Sequence, residues 1–386
     1  MRILYHHRTA SADGQAVHIE ELVAALRELG HEVRVVGPAA VSGERMGQKV
    51  DWVHRLKAWL PKPFYELMEL AYSAVAYRRL AEAAREFKPD LLYERYNLYM
   101  LAGVLLCRRF DLPLLLEVNS PLVEERQNHG GLGLPWLARR AEGLVWRAAD
   151  YVLPVTQVLA GYVAAYGVSR EKIVVLPNGI NQLHFAAAPD NETAKSRLGL
   201  SGALVLGFTG FVREWHGVDK VIRWLAGSEA SAAHLLVVGD GPARPALEQL
   251  AAELGITARV TFTGVVPREQ VPDYVAAFDI ALQPAVVAYA SPLKLFEYLA
   301  LGRAIVAPDT PNLREVLVDG QNALLFTADQ EGALEVALTR LCRDEGLRHR
   351  LGAAARATID ERKLTWLDNA RRIAALGKLL TKAGRT

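Results

Sequence analysis

Short apolar runs alternate with amphipathic stretches along almost the whole chain, and this rhythm constrains the fold more than any other feature. Runs of strand length lie at Ile3–Tyr5, Val33–Val36, Leu91–Tyr93, Leu114–Val118, Tyr151–Val155 and Ile173–Leu176. A second series follows at Leu204–Phe208, Leu235–Val238, Val260–Phe262, Ile280–Leu282, Ala304–Ala307 and Ala323–Phe326. Between the runs lie segments such as Val17–Leu29 and Arg244–Leu254, with apolar residues at helical spacing. Near-continuous apolar strands separated by helices predict parallel sheets covered on both faces. The 386 residues are too many for one compact core and suit two domains. Pro177-Asn178-Gly179 and a polar stretch with Asp190 and Asn191 separate the two series, so the boundary is expected near residues 178–195. Ligands of open parallel sheets bind beyond the carboxyl ends of the strands, so chemistry is expected in the loops there.

A net charge of +2 gives no global field of the kind that steers a protein onto nucleic acid. The two cysteines, Cys107 and Cys342, are far apart and read as reduced core thiols. The N-terminus reads as a first strand and not a signal peptide, and no apolar run has the length of a membrane helix. A cytoplasmic protein is expected. Residues 50–88 break the rhythm. They hold Trp52, Trp59, Phe64, Tyr65 and Met68 among Arg55, Lys57, Lys62, Arg78 and Arg79. One reading is helices packed on the first sheet. The other is a basic, aromatic-rich surface that touches anionic lipid on the inner face of a membrane and presents a lipid-linked acceptor.

The most informative stretch is Ser291-Pro292-Leu293-Lys294-Leu295-Phe296-Glu297-Tyr298, just beyond a strand. Ser291 is a good N-cap and Pro292 suits the first helical position. A helix start binds phosphate through its free N–H groups and its dipole. Lys294 in the first turn is unfavourable to that dipole until an anion arrives. Glu297 lies about one turn further along, where it can accept the hydroxyls of a ribose. The plainer alternative is a capped helix with an exposed Lys and Glu.

These residues resemble the donor motif of the retaining family-4 glycosyltransferases of GT-B fold. The resemblance extends over nearly the whole chain: Asp13-Gly14-Gln15, Gly30-His31-Glu32-Val33, Leu176-Pro177-Asn178-Gly179, Gly207-Phe208-Thr209-Gly210, Trp215-His216-Gly217, Val238-Gly239-Asp240-Gly241-Pro242, Phe262-Thr263-Gly264 and Trp366. It implies an α/β chain of two Rossmann-like domains whose parallel sheets face each other across a cleft. Residues 1–180 would bind the acceptor, with a terminal helix at about 360–386 packing back on them. Residues 190–358 would bind a nucleotide-diphosphate sugar. Transfer to a glycan, lipid-linked or small-molecule hydroxyl is expected to retain anomeric configuration, the leaving phosphate assisting the incoming hydroxyl.

The chain departs from the family pattern at four positions. Tyr289 stands where many members have the first of two glutamates, while Glu297 matches the second. Phe211 and His216 stand where an Arg and a Lys usually hold the donor phosphates. Arg213 can replace the missing guanidinium, so Arg213, His216 and Lys294 are expected to form a cationic cradle for the diphosphate. Ser291, Pro292, Leu293 and Gly14 would add backbone amides, and the base would lie near Gly264, Val265 and Val266. Asn119 stands where a histidine often touches the sugar; it hydrogen-bonds but cannot titrate. Glu94, Arg95, Glu117 and Glu124 are expected on the acceptor side. A plain surface loop accounts for the glycines after Glu124 equally well. The cleft loops carry no Asp-x-Asp, so no metal and no other cofactor is expected. Two other functions remain open on these residues: a nucleotide-sugar epimerase, which needs no acceptor, and a non-catalytic nucleotide-sugar binder.

Overall fold

The computed structural model describes residues 1–9, 14–38, 61–227 and 233–383. Asp13 and the part of the 50–88 segment before Pro61 lie outside the described residues. The chain divides into two compact units: Met1–Pro177 together with the segment from Trp366 onward, and Asn178–Thr365.

The first unit holds a five-stranded parallel sheet. Its strands are β1 (Arg2–His6), β2 (Glu32–Val36), β3 (Leu91–Arg95), β4 (Leu114–Val118) and β5 (Tyr151–Pro154), in the order β2-β1-β3-β4-β5. Every residue of β3 and β4 is buried, because helices cover both faces and leave no polar side to alternate with. Ile173–Leu176, expected as a sixth strand, is not one. Ile173 makes a single parallel bridge to Val152, and the chain then reaches Pro177, which cannot donate to a ladder. The described part of the 50–88 segment is one helix, Lys62–Phe87, entered at Lys62-Pro63 and closed by Lys88 in the left-handed conformation. The terminal helix Trp366–Ala383 packs on the helix Gly14–Glu28, where the His18 and Trp366 rings meet edge-on at 4.7 Å.

The second unit holds six parallel strands: β6 (Leu204–Thr209), β7 (Ala233–Val238), β8 (Val260–Phe262), β9 (Ile280–Leu282), β10 (Ala304–Pro308) and β11 (Leu324–Phe326). All six expected strands are present, in the order β11-β10-β9-β6-β7-β8. One core cluster gathers Leu206, Phe208, Leu235, Val237 and Ile280; the other gathers Val205, Leu236, Val238, Phe278 and Ala281. Alternate residues of the same strands thus feed opposite faces, as the period of two requires. In each sheet the order reverses direction once, between β1 and β3 and between β6 and β9. Such switch points open a crevice at the carboxyl ends of the strands.

Candidate active site

The switch point of the second unit lies between the end of β6 and the loop after β9. The helix Leu293–Ala300 buries Leu295, Phe296, Tyr298 and Leu299. Each such side chain contributes roughly 1.5–3 kcal/mol when removed from water, so the helix is firmly seated. Lys294 and Glu297 are the positions left to face the strand ends. Ser291 does not cap the helix. Pro292 takes that place and no side chain bonds the first turn, so its leading N–H groups stay free of a cap. The Ser291 hydroxyl instead accepts the Asn178 N–H at 3.3 Å.

Lys294 Nζ is sealed from solvent without a hydrogen-bond partner and sits 3.6 Å from the Phe208 ring centroid. A cation–π contact supplies about 2 kcal/mol when desolvated, far less than a buried ammonium loses in leaving water. Burial accordingly pushes the Lys294 pKa down to about 7, with Glu297 acting in the opposite direction. Glu297 Oε2 accepts the Thr209 hydroxyl at 3.2 Å, and the Thr209 N–H donates to the Tyr298 hydroxyl at 3.0 Å. Burial raises the Glu297 carboxyl, while Thr209, Lys294 and Arg268 pull it down. The end of β6 and the motif helix are therefore one hydrogen-bonded piece.

His216 closes the 3-10 turn Glu214–His216, and its Nδ1 accepts the Arg213 N–H at 3.2 Å. Burial, with the Lys294 and Arg213 charges, lowers its pKa to about 3. Those causes favour the neutral imidazole in the absence of an anion, with Nδ1 as acceptor and Nε2–H as donor. The Arg213 guanidinium stacks over Phe211 at 4.8 Å and Trp215 at 4.7 Å. It also borders a groove of about 450 Å³ with Glu214, Val218, Asp219 and Arg223. Gly264 has φ +70° and bridges to Gly239; Val265 beside it is 52% exposed, and Val266 packs on the core. Neither end of that loop contributes a charge until Arg268.

In the first unit the strand ends converge on Glu117, which is buried. Its carboxylate accepts from His18 Nε2 at 2.9 Å, Tyr93 Oη at 2.7 Å, Asn119 Nδ2 at 2.5 Å and Arg95 Nη1. Burial alone would raise this carboxyl, but His18, Arg95 and the hydrogen bonds hold it well below the usual range. Glu94 and Arg95 are also buried, Glu94 paired with His6 Nδ1 at 2.5 Å. These three lie beneath the strand ends, while Asn119 and Glu124 are half-buried and Gly14 is exposed. Among the described residues no set of three His, Cys, Asp or Glu is placed to hold a metal ion.

Two family models match consecutive parts of the chain. The description "Glycosyl transferase 4-like domain" covers residues 13–179 and "Glycosyl transferases group 1" covers residues 190–358. The chain belongs to the GT4 glycosyltransferases. Its fold is GT-B, and it is a retaining hexosyltransferase that uses a nucleotide sugar. This GT4 enzyme is 29% identical over 322 residues to the 2-deoxystreptamine N-acetyl-D-glucosaminyltransferase of Streptomyces fradiae, covering 74% of this chain and 75% of that protein. It is 29% identical over 380 residues to the D-inositol 3-phosphate glycosyltransferase of Xylanimonas cellulosilytica, covering 93% and 89%. The crystal structure of Anabaena HepE in complex with UDP-glucose superposes with a TM-score of 0.75 at 20% identity, covering 97% of this chain and 99% of that one.

Sequence reasoning missed Arg268 of the GT4 enzyme. Its charge, from the turn after Gly264, helps lower the Glu297 carboxyl, the smallest of the effects acting on it. No local signal marks it; Pro267-Arg268-Glu269 reads as an ordinary charged turn.

Proposed function

We propose that the second unit binds a UDP-hexose and that the first unit, with the terminal helix, binds the acceptor hydroxyl of a glycan, a lipid-linked sugar or a small ring polyol. The observation that carries this reading is Lys294: an amine sealed at an uncapped helix start, without a hydrogen-bond partner, one turn from a carboxylate. A diphosphate there would neutralise Lys294 and take up the free amides, and Glu297 would accept the ribose hydroxyls. His216 Nε2–H and Arg268 would add a neutral and a charged donor, and Arg213 would reach the diphosphate from its aromatic stack. The base would lie against Gly264, Val265 and Val266, with Ser291, Pro292 and Leu293 lining the phosphate. In the transfer the bond from the anomeric carbon to the phosphate oxygen breaks and the bond to the acceptor oxygen forms on the same face. The acceptor proton passes to the leaving phosphate, whose growing charge the Lys294 end stabilises. Asn119, fixed by Glu117, would hydrogen-bond the sugar, Gly14 would bring backbone amides from the first unit, and Glu124 would meet the acceptor.

The choice of UDP draws on the HepE complex, and the ring-polyol acceptor on the 2-deoxystreptamine and inositol 3-phosphate relatives. Phe64, Leu67 and Met68 on the Lys62–Phe87 helix are exposed. Their position favours a lipid-linked acceptor on a membrane surface, which sedimentation with anionic vesicles tests. No described helix is long and apolar enough to cross a membrane. A thermal-shift screen of UDP, GDP, ADP and their sugars is expected to single out UDP compounds, because a ligand of the native state raises its stability. Lys294→Ala and Glu297→Ala are each expected to abolish transfer in a folded protein. Full transfer by both variants would remove the donor assignment.

A further inference from the structure

The segment Gln283–Pro292 joins β9 to the motif helix and starts at the switch point itself. It has no regular structure, so its carbonyls cannot be satisfied by a ladder. Three buried carboxamides satisfy them instead. Gln283 Nε2 donates to the Ala285 carbonyl at 2.6 Å. Asn312 Nδ2 donates to the carbonyls of Val287 at 3.2 Å and Ala290 at 2.7 Å. Asn178 Nδ2 donates to the Ser291 carbonyl at 2.5 Å, in addition to its backbone bond to the Ser291 hydroxyl. The three side chains come from the end of β9, the short helix Pro311–Arg314 and the first residue of the second unit. They are 2%, 3% and 7% exposed.

All three share a second property. The carbonyl oxygen of each carboxamide is buried and meets no protein donor. Leaving such a group unmade opposes folding, so a chain selected for stability alone would not place three around one loop. Each NH₂ group shapes the loop, while each oxygen is left over.

We propose that Gln283, Asn312 and Asn178 are positioning residues for the donor, clamping the loop so that the helix start reaches the diphosphate already in shape. The inference rests on the donor reading above. With Tyr289 in place of a glutamate, this loop has no carboxylate at that position for a bound sugar to order. The loop geometry therefore has to be set before the ligand arrives, and the clamp supplies it.

Calorimetry with UDP on the full-length protein, together with steady-state kinetics and melting of the free enzyme, tests the clamp. Asn312→Ala is expected to weaken UDP about tenfold and to raise the donor KM by a similar factor, with the acceptor KM unchanged. Gln283→Ala and Asn178→Ala are expected to act in the same direction. A purely structural role would lower the melting temperature of the free enzyme and leave UDP affinity alone. Hydrogen exchange of wild-type protein gives a readout without mutation: the Ala290 amide, bonded to the Val287 carbonyl that Asn312 holds, is expected to be protected already in the absence of UDP. Unchanged UDP affinity in the folded variants, or rapid exchange of the Ala290 amide until UDP is added, overturns the proposal. Lys294→Ala separates the two readings. If it loses UDP while Asn312→Ala keeps it, the clamp fails and the donor site stands. If wild type binds no UDP, or Lys294→Ala binds it equally well, the donor reading itself fails.

Discussion

In the proposed donor site the chemistry would turn on the Lys294 amine, and its protonation sets a pH profile. Its pKa lies near 7 in the folded protein because burial penalises the ammonium, against about 10.4 for a free lysine. Between those values the unfolded chain binds the extra proton, so this residue makes stability rise with pH from 7 towards 10. Replacing it by methionine removes that rise, which urea titrations at pH 7, 8 and 9 would show as a wild-type stability gaining on the variant. Donor binding has the opposite sign. A diphosphate favours the ammonium, so affinity for UDP-glucose is expected to be level below pH 7 and to fall above it, by up to about tenfold per unit. His216 adds nothing to this profile in the neutral range, its pKa being held down to about 3. An affinity that is the same at pH 6 and pH 9 would contradict the buried, unpaired state of Lys294.

At the scale of elements, the site depends on how closely the strand-end loops approach one another. The Gly210 N–H bonds the Val238 carbonyl and the Val212 N–H bonds the Asp240 carbonyl, both at 2.9 Å, which draws the β6 and β7 loops together. A Cβ on Gly239 would lie 2.2 Å from the Gly210 carbonyl oxygen, and the residue has φ +130°. Gly210 in turn faces Lys294, its own added Cβ lying 3.5 Å from Nζ. Gly239→Ala is thus expected to push the β6 loop off the motif helix, destabilising by roughly 1–3 kcal/mol and weakening UDP. Gly255, with φ +70° and open space around it, is the control. Gly255→Ala is expected to show backbone strain alone, with UDP affinity unchanged. Equal loss of UDP binding in both would mean that the approach of the loops is immaterial. The same distinction explains what could be read from the sequence. Strands of the second unit were legible because buried parallel strands are continuous apolar runs. Ile173–Leu176 carries the same signal but finds only one bridging partner, a fact of tertiary pairing. Ser291 looked like a cap because its local neighbours are those of a cap; the residue that claims its hydroxyl, Asn178, is remote in sequence. The alignment of Lys294 with Glu297 follows from helical spacing, whereas the influence of Arg268 on Glu297 comes from how a remote turn packs near the motif helix and leaves no local trace.

For the whole molecule, the division of the chain sets what can fold alone. The second unit is one continuous segment with its own sheet and a core on each face. The first unit is discontinuous, because the helix Trp366–Ala383 belongs to it. Trp366 is 4% exposed, Ala370 and Ile373 are fully buried, and the Asn369 amide donates to the Pro177 carbonyl at 2.7 Å. Removing that helix exposes the covered face of Gly14–Glu28 and leaves His18 without its aromatic neighbour. Trp366 and Ile373 alone contribute roughly 1.5–3 kcal/mol each on burial, a large part of the 5–15 kcal/mol that holds a domain folded. A fragment of residues 178–365 is therefore expected to unfold cooperatively and to bind UDP in a Lys294-dependent manner, without transferring sugar. A fragment of residues 1–177 is expected to melt lower or remain unfolded, and to recover when residues 366–386 are fused to it. Circular dichroism melts of the three fragments decide the matter. A 1–177 fragment as stable as the fused one would show that the terminal helix only rests on the first unit. A 178–365 fragment that folds but binds no UDP would show that the second unit alone does not make the donor site.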